Sequence, residues 1–83
     1  MTTFPAALVR ERGVRFVVVP VRDSVICSPI EAGEVMHRMQ SLFQCPPVLL
    51  GSHSREILGR HDLVRFVRSV GIERLPWRKW TVN

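Results

Sequence analysis

The residues best suited to chemistry lie on one side of a predicted helix in the second half of the chain. His61, Arg65 and Arg68 follow one another at spacings of four and three, which places them within about 60° on an α-helix. Such a basic stripe can follow a phosphate backbone, and neighbouring aromatic rings can stack on bases. The sequence therefore predicts a site for nucleic acid or another partner, made of Arg60, His61, Arg65, Arg68, Trp77, Arg78, Lys79 and Trp80.

The same residues also have a purely structural interpretation. Exposed arginines are ordinary on helices, and the two tryptophans can anchor the tail to the core. The aromatic signature of an RRM, the glycine loop of a KH domain and the spacing of a zinc finger are all missing from the sequence. The two interpretations differ in where Trp77 and Trp80 lie, beside the stripe or beneath the sheet.

A second candidate is the thiol of Cys27, which precedes Ser28 and Pro29 at a predicted helix start. The partial positive charge of a helix N-terminus favours a reactive thiolate. The alternative is that Cys27 packs in the core as a small apolar residue, and we expect both cysteines, Cys27 and Cys45, to be buried thiols rather than a disulfide.

Several scattered points resemble a shortened glutaredoxin or thioredoxin-like domain. They are a strand before Cys27, a proline before a hairpin, and the segment from Gly59 to Leu63 that opens the last helix. Ile30 stands where that family has its second active-site cysteine. The resemblance therefore implies a monothiol protein whose thiol-redox chemistry is carried by Cys27.

Other catalytic and ligand-binding patterns are missing from the sequence. The histidines and cysteines lack the spacing of a metal site, and neither isolated glycine is followed by the Lys-Ser/Thr of a phosphate-binding loop. Helix capping accounts for Glu31 and Glu34. We therefore expect no metal or cofactor to be bound by the histidines His37, His53 and His61, the cysteines Cys27 and Cys45, or the glycines Gly51 and Gly59.

The composition indicates a folded protein, and its basic charge indicates either an anionic partner or a coding bias. With 46% hydrophobic and 23% charged residues, the chain is far from the composition of disordered proteins. The net charge is +5, and the excess lies in residues 53–83, which have seven Lys and Arg against three Asp and Glu. This asymmetry favours an anionic partner, although the preference for Arg over Lys is equally typical of a GC-rich genome.

The chain lacks the patterns of membrane insertion and secretion. Its longest apolar run, residues 16–21, is far shorter than the roughly 20 residues that a membrane-spanning helix needs. The basic residues of the N-terminus follow a short apolar patch, which reverses the order of a signal peptide. The sequence predicts a soluble, cytoplasmic protein with no membrane partner.

The pattern of elements divides the chain into a loosely ordered arm, residues 1–12, and a single α+β domain, residues 13–83. Residues 14–21 predict a strand that is apolar in both alternating sets, so both of its faces should be at least partly covered. Residues 25–27 are a short second strand or the end of the first. Ser28, Pro29 and Glu31 predict the cap and first turn of an amphipathic helix.

The second half predicts a hairpin and another helix. Residues 48–50 and 56–58 are the paired strands, and residues 80–82 are an optional edge strand. The helix follows the bend at Gly59 and ends at a glycine cap, Gly71. We expect a small two-layer α+β sandwich with two helices on one face of a three- to four-stranded antiparallel or mixed sheet. With the last strand included, the order β-α-β-β-α-β is ferredoxin-like.

These observations favour a small non-enzymatic binding or accessory module that acts through a macromolecular partner. A chain of 83 residues has a thin core, and its doubly apolar strand and two tryptophans indicate more apolar surface than it can cover alone. We therefore expect self-association as a homodimer, or a small subunit of a larger assembly. The alternatives are a nucleic-acid-binding protein and a minimal thioredoxin-like thiol protein.

Overall fold

The structure describes residues 1–11 and 13–82. They form a mixed sheet with helices on both of its faces. The structure is a computed structural model. In chain order its elements are β1 (Thr2–Glu11), β2 (Val14–Val21), α1 (Asp23–Ile26), α2 (Pro29–Phe43), β3 (Pro47–Gly51), β4 (Ile57–Leu58), α3 (His61–Val70), a short 3-10 helix (Ile72–Arg74) and β5 (Trp77–Val82).

The five strands are arranged in the order β4-β3-β2-β1-β5. β2 and β3 are parallel, and every other neighbouring pair is antiparallel. Parallel neighbours cannot be joined by a tight turn, so the chain must cross one face of the sheet between them. Helices α1 and α2 form that crossing.

Two separate hydrophobic cores lie on the two faces of the sheet, because successive strand residues point to opposite sides. We call these sides the α2 face and the α3 face, after the helices that cover them. On the α2 face the buried residues are Ala6, Val17, Val19, Val25, Ala32, Cys45 and Leu49. On the α3 face they are Ala7, Val9, Phe16, Val18, Val48, Leu50, Leu63, Val67 and Leu75.

The α+β class is confirmed, but the prediction that both helices pack on one face is wrong. α2 covers one face as the crossing between β2 and β3, whereas α3 leads from β4 at one edge to β5 at the other and covers the opposite face. The doubly apolar β2 already required cover on both sides. The sheet has five strands, and two strands precede the first helix, so the element order differs from the ferredoxin-like one.

The N-terminal segment is a strand of the sheet, and the prediction of a loosely ordered arm is wrong for residues 2–11. The last arm residue, 12, lies outside the described residues. β1 pairs with β2 on one side and with β5 on the other. Its ladder with β2 begins at Ala7 and Val18, so the missing N–H groups of Pro5 and Pro20 fall beyond the end of that ladder and break none of its bonds.

The predicted short strand at residues 25–27 is a single helical turn, α1. The Arg22 carbonyl accepts hydrogen bonds from the N–H groups of Val25 at 2.9 Å and Ile26 at 3.4 Å. Asp23, the first residue of the turn, is also the acceptor for a distant loop, as described below. The chain therefore bends away from the sheet instead of adding a strand.

The main helix predictions are confirmed at residue level. Ser28 is the N-cap of α2, with its Oγ accepting from the N–H of Glu31 at 3.3 Å, and Pro29 is the first helical residue. Gln44 ends the helix in the left-handed region, with φ of 57°. α3, at His61–Val70, lies between Gly59 and the cap Gly71, as predicted. The β3–β4 hairpin forms, and the C-terminal strand is longer than predicted, Trp77–Val82.

Two leucines that face each other across the β3–β4 hairpin test how the stability is distributed. Leu49 is fully buried, whereas its register partner Leu58 is 38% exposed. We expect Leu49→Ala to lower the free energy of unfolding by about 2–5 kcal/mol, because it leaves a cavity on the α2 face. Leu58→Ala should cost about 1 kcal/mol or less. Urea denaturation measures both, and equal losses would contradict the difference in burial between the two leucines.

Candidate functional site

The outer side of α3 presents the predicted basic stripe to solvent. His61, Arg65 and Arg68 are exposed, while Leu63 and Val67 on the inner side are buried against the sheet. The apolar side of α3 therefore faces the core, and its cationic side faces solvent.

Arg60, which the sequence placed in the same site, is engaged within the chain. Its Nε and Nη2 donate to the two carboxylate oxygens of Asp62 at 3.0 and 2.7 Å. The hydrogen bond from Arg60 lowers the pKa of Asp62 to about 2, and the same bond raises the pKa of Arg60. The bidentate pair sits at the start of α3, where a carboxylate is favoured by the helix dipole.

The two tryptophans of the tail lie on opposite faces of the sheet. Trp77 packs against the core of the α3 face and donates from its indole N–H to the Ile72 carbonyl at 2.8 Å. Trp80 packs on the α2 face, where its ring meets that of Phe43 edge to face with centroids 5.2 Å apart, and donates to the Ala6 carbonyl at 3.1 Å. Both rings anchor β5, as the structural interpretation expected.

The eight predicted residues therefore do not form one continuous surface. Three lie on the outer side of α3, Arg60 is paired with Asp62, and the other four belong to the six-residue β5 at the edge of the sheet. What these residues offer is two separate basic features, a helix face and a strand edge.

The strand edge is the more distinctive of the two. β5 pairs with β1 on one side, from Thr2 and Val82 to Ala7 and Trp77, and no strand within residues 1–11 and 13–82 pairs with its other side. A free edge exposes a row of backbone N–H and C=O groups that can bind another strand.

One hydrogen bond indicates which groups point outward. The N–H of Trp77 donates to the Leu75 carbonyl at 2.8 Å and is therefore not directed at β1. Because residues of an antiparallel pair alternate between bonding inward and outward, Lys79 and Thr81 should also direct their N–H and C=O groups away from β1. The contact between the Thr3 and Thr81 hydroxyl oxygens, 3.2 Å apart, agrees with the closer approach of such a pair.

The opposite edge of the sheet is protected by its shortness. β4 has only two residues, Ile57 and Leu58, and natural proteins commonly end a sheet with such a short strand. The six-residue β5 has no such protection, and the charged residues along it are Arg78 and Lys79, both exposed.

A carboxylate at the end of β2 was not singled out from the sequence. Asp23 accepts hydrogen bonds from the backbone N–H groups of His53 and Ser54 at 3.2 Å, which holds the loop after β3. The Ser54 bond is the main reason that the pKa of Asp23 lies below its usual value. A Cβ added at Gly51 would crowd Ser54 Oγ and lie 2.8 Å from Asp23 Oδ1, so both side chains would have to shift. These hydrogen bonds fix the loop after β3 and engage the Asp23 carboxylate.

The two thiols differ in environment. Cys45 is buried as predicted, and burial raises its pKa. Cys27 is exposed, so the prediction that it packs in the core is wrong. It follows the helical turn α1 rather than the strand that the glutaredoxin resemblance expects, and a thiol-redox role for Cys27 stays a prediction.

Comparison of the chain with protein-family models, with curated proteins and with solved structures finds no match. Within residues 1–11 and 13–82, no group of three or more His, Cys, Asp or Glu side chains is arranged to hold a metal ion. None of the helices in that part of the chain combines the length and the apolar character that crossing a bilayer requires.

The Arg60–Asp62 pair gives a measurable pH signature. Since the pKa of Asp62 is lowered from its usual 3.8 to about 2, the pair stabilises the folded state above pH 3.8, and this contribution is lost as the pH falls through about 2. In Arg60→Gln we expect the pKa of Asp62 to rise towards 3.8, measured by NMR titration of the carboxyl carbons. The pKa of Asp23 serves as the control and should stay unchanged; a shift of both would indicate a general loss of structure.

Proposed function

We propose that this protein is a small non-enzymatic binding module that takes up an extended segment of a partner polypeptide as an added strand along β5. The observation that carries the proposal is the outer edge of β5, a six-residue strand that pairs with β1 on one side and, within residues 1–11 and 13–82, with no strand on the other. β5 also lacks the shortness that protects the opposite edge, where β4 has two residues. Strand addition to such an edge is a recurrent way in which proteins bind peptides.

The anchoring of β5 supports this function energetically. Trp77 and Trp80 fix the strand to both faces of the sheet through ring packing and indole hydrogen bonds. A strand that is already ordered in the free protein loses little conformational entropy when a partner binds. Backbone groups of the partner would then continue the ladder at small cost to β5.

The charge of the edge favours a different polypeptide over a second copy of this chain. Arg78 and Lys79 are exposed and lie in the middle of β5. Pairing β5 with its own copy would bring four cations onto one shared edge, and like charges in adjacent strands destabilise their pairing. A partner with carboxylates on the added strand meets no such penalty.

The basic side of α3 supports a second candidate, binding to nucleic acid. His61, Arg65 and Arg68 form an exposed row on a helix whose inner side is firmly buried. Such a row suits phosphate contacts independent of base sequence. This site and the β5 edge lie on different elements and can be tested separately.

Strand addition is tested by removing one outward N–H group from β5. Thr81→Pro deletes that donor without touching the inward bonds of its neighbours, whereas Thr81→Ala keeps it. A displayed library of random linear peptides selected on the wild-type protein should yield peptides that bind wild type and Thr81→Ala but lose binding to Thr81→Pro. Circular dichroism and tryptophan fluorescence report whether each variant is folded, and Lys79→Pro gives a second edge-blocking variant.

Three outcomes would contradict the proposal. The selection could yield no binding peptide, or its peptides could bind both proline variants as well as wild type. Light scattering could also reveal a dimer of the wild type that Thr81→Pro dissociates, which would show that a second copy occupies the edge.

Nucleic-acid binding is tested with the double variant Arg65→Glu/Arg68→Glu. Electrostatic binding to mixed-sequence RNA or DNA should be detectable at low salt, weaken steeply as salt increases, and drop by about tenfold or more in this variant, because two phosphate contacts are lost and two repulsions gained. Arg78→Glu/Lys79→Glu has the same change in net charge and is the matched control. Undetectable binding of the wild type at low salt, or equal losses in both variants, would contradict a site on α3.

A further inference from the structure

The orientation of four consecutive residues of β5 allows the partner strand to be described more closely. Trp77 is the register partner of Ala7, which is buried on the α3 face, and Arg78 is the register partner of Ala6, which is buried on the α2 face. By alternation Lys79 shares the α3 face with Trp77, and Trp80 shares the α2 face with Arg78. Each face of the edge therefore presents one tryptophan and one cation.

The two cations of β5 differ from two arginines elsewhere on the surface, which form ion pairs. Arg55 pairs with Glu73 at 3.0 Å, and Arg60 pairs with Asp62 at 2.7 Å. Within residues 1–11 and 13–82, neither Arg78 nor Lys79 has a carboxylate within salt-bridge distance. The positive charge at the open edge is thus available to a bound strand.

Resting on the function proposed above, we infer that β5 selects a strand with two consecutive acidic residues between two apolar residues. In an antiparallel pair, residues directly opposite share a face of the sheet. A strand added to β5 would place its two carboxylates opposite Arg78 and Lys79, one on each face. Its apolar residues would lie opposite Trp77 and Trp80 and cover the exposed parts of their rings.

The partner class is therefore an acidic polypeptide segment and not an acidic polymer in general. A nucleic-acid backbone supplies phosphates for the two cations but cannot continue the ladder with the outward N–H and C=O groups of Lys79 and Thr81. A second copy supplies the ladder but adds two further cations. Only an acidic strand satisfies the backbone and the side chains together.

Three synthetic linear peptides that differ at two central positions test this selectivity. Each has the two variable residues between valines, and the variable residues are two glutamates, two glutamines or two lysines. Binding is followed by tryptophan fluorescence and by NMR shifts of the Lys79 and Thr81 amides. We expect the glutamate peptide to bind about tenfold more tightly than the glutamine peptide, since each exposed ion pair contributes modestly. The lysine peptide should bind most weakly, and added salt should narrow the differences.

Charge reversal on the protein supplies the decisive control. Arg78→Glu/Lys79→Glu should invert the order, so that the lysine peptide binds most tightly. Arg65→Glu/Arg68→Glu changes the net charge equally but lies on α3, and it should keep the order of the wild type. An inversion by the α3 variant as well would overturn local recognition at β5 in favour of a general effect of net charge.

The remaining outcomes separate this inference from the proposed function. If the three peptides bind equally and Thr81→Pro abolishes all binding, strand addition stands and the acidic selectivity is overturned. If none of the peptides binds and the Lys79 and Thr81 amides do not shift, both are overturned. Binding of the glutamate peptide that Thr81→Pro leaves intact would overturn strand addition, because the carboxylates would then be held without the ladder.

Discussion

The burial of β2 on both faces is the constraint on which the rest of this structure depends. Phe16, Val17, Val18 and Val19 are all buried. Phe16 and Val18 lie on one face of the sheet and Val17 and Val19 on the other, so both faces need a covering layer. The chain meets this need with α2 on one side and α3 on the other. A parallel neighbour, β3, follows from the same arrangement, because the crossing that covers one face returns the chain in the same direction.

The helices cover the two faces of the sheet, so its edges are formed by its outermost strands, β4 and β5. β4 has only two residues, whereas β5 has six. Trp77 and Trp80 hold that last strand in place from both faces of the sheet. Within residues 1–11 and 13–82, the edge that β5 leaves open also contains two cations, Arg78 and Lys79, with no carboxylate within salt-bridge distance.

Much of the local structure could be predicted because its signals lie within a few residues. The cap at Ser28 and Pro29 located the start of α2, and Gly71, with φ of 95°, follows the end of α3. β1 could not be recognised, since Pro5 and the charged residues that follow make it resemble a loop until β2 and β5 are placed beside it. The role of Asp23 was hidden for the same reason: its hydrogen-bond partners lie 30 and 31 residues further along the chain.

By itself the sequence determined that the chain folds, that it forms an α+β domain, where two of its helices begin and end, and which residues are basic. Propensity, capping and hydrophobic periodicity are short-range properties, so these features can be derived from neighbours in the chain. Only the tertiary structure decided that α2 and α3 lie on opposite faces, that Trp77 and Trp80 are separated by the sheet, and that β5 is an edge strand of the sheet formed by residues 1–11 and 13–82. Those features depend on strand order and pairing between distant residues, which no local pattern contains.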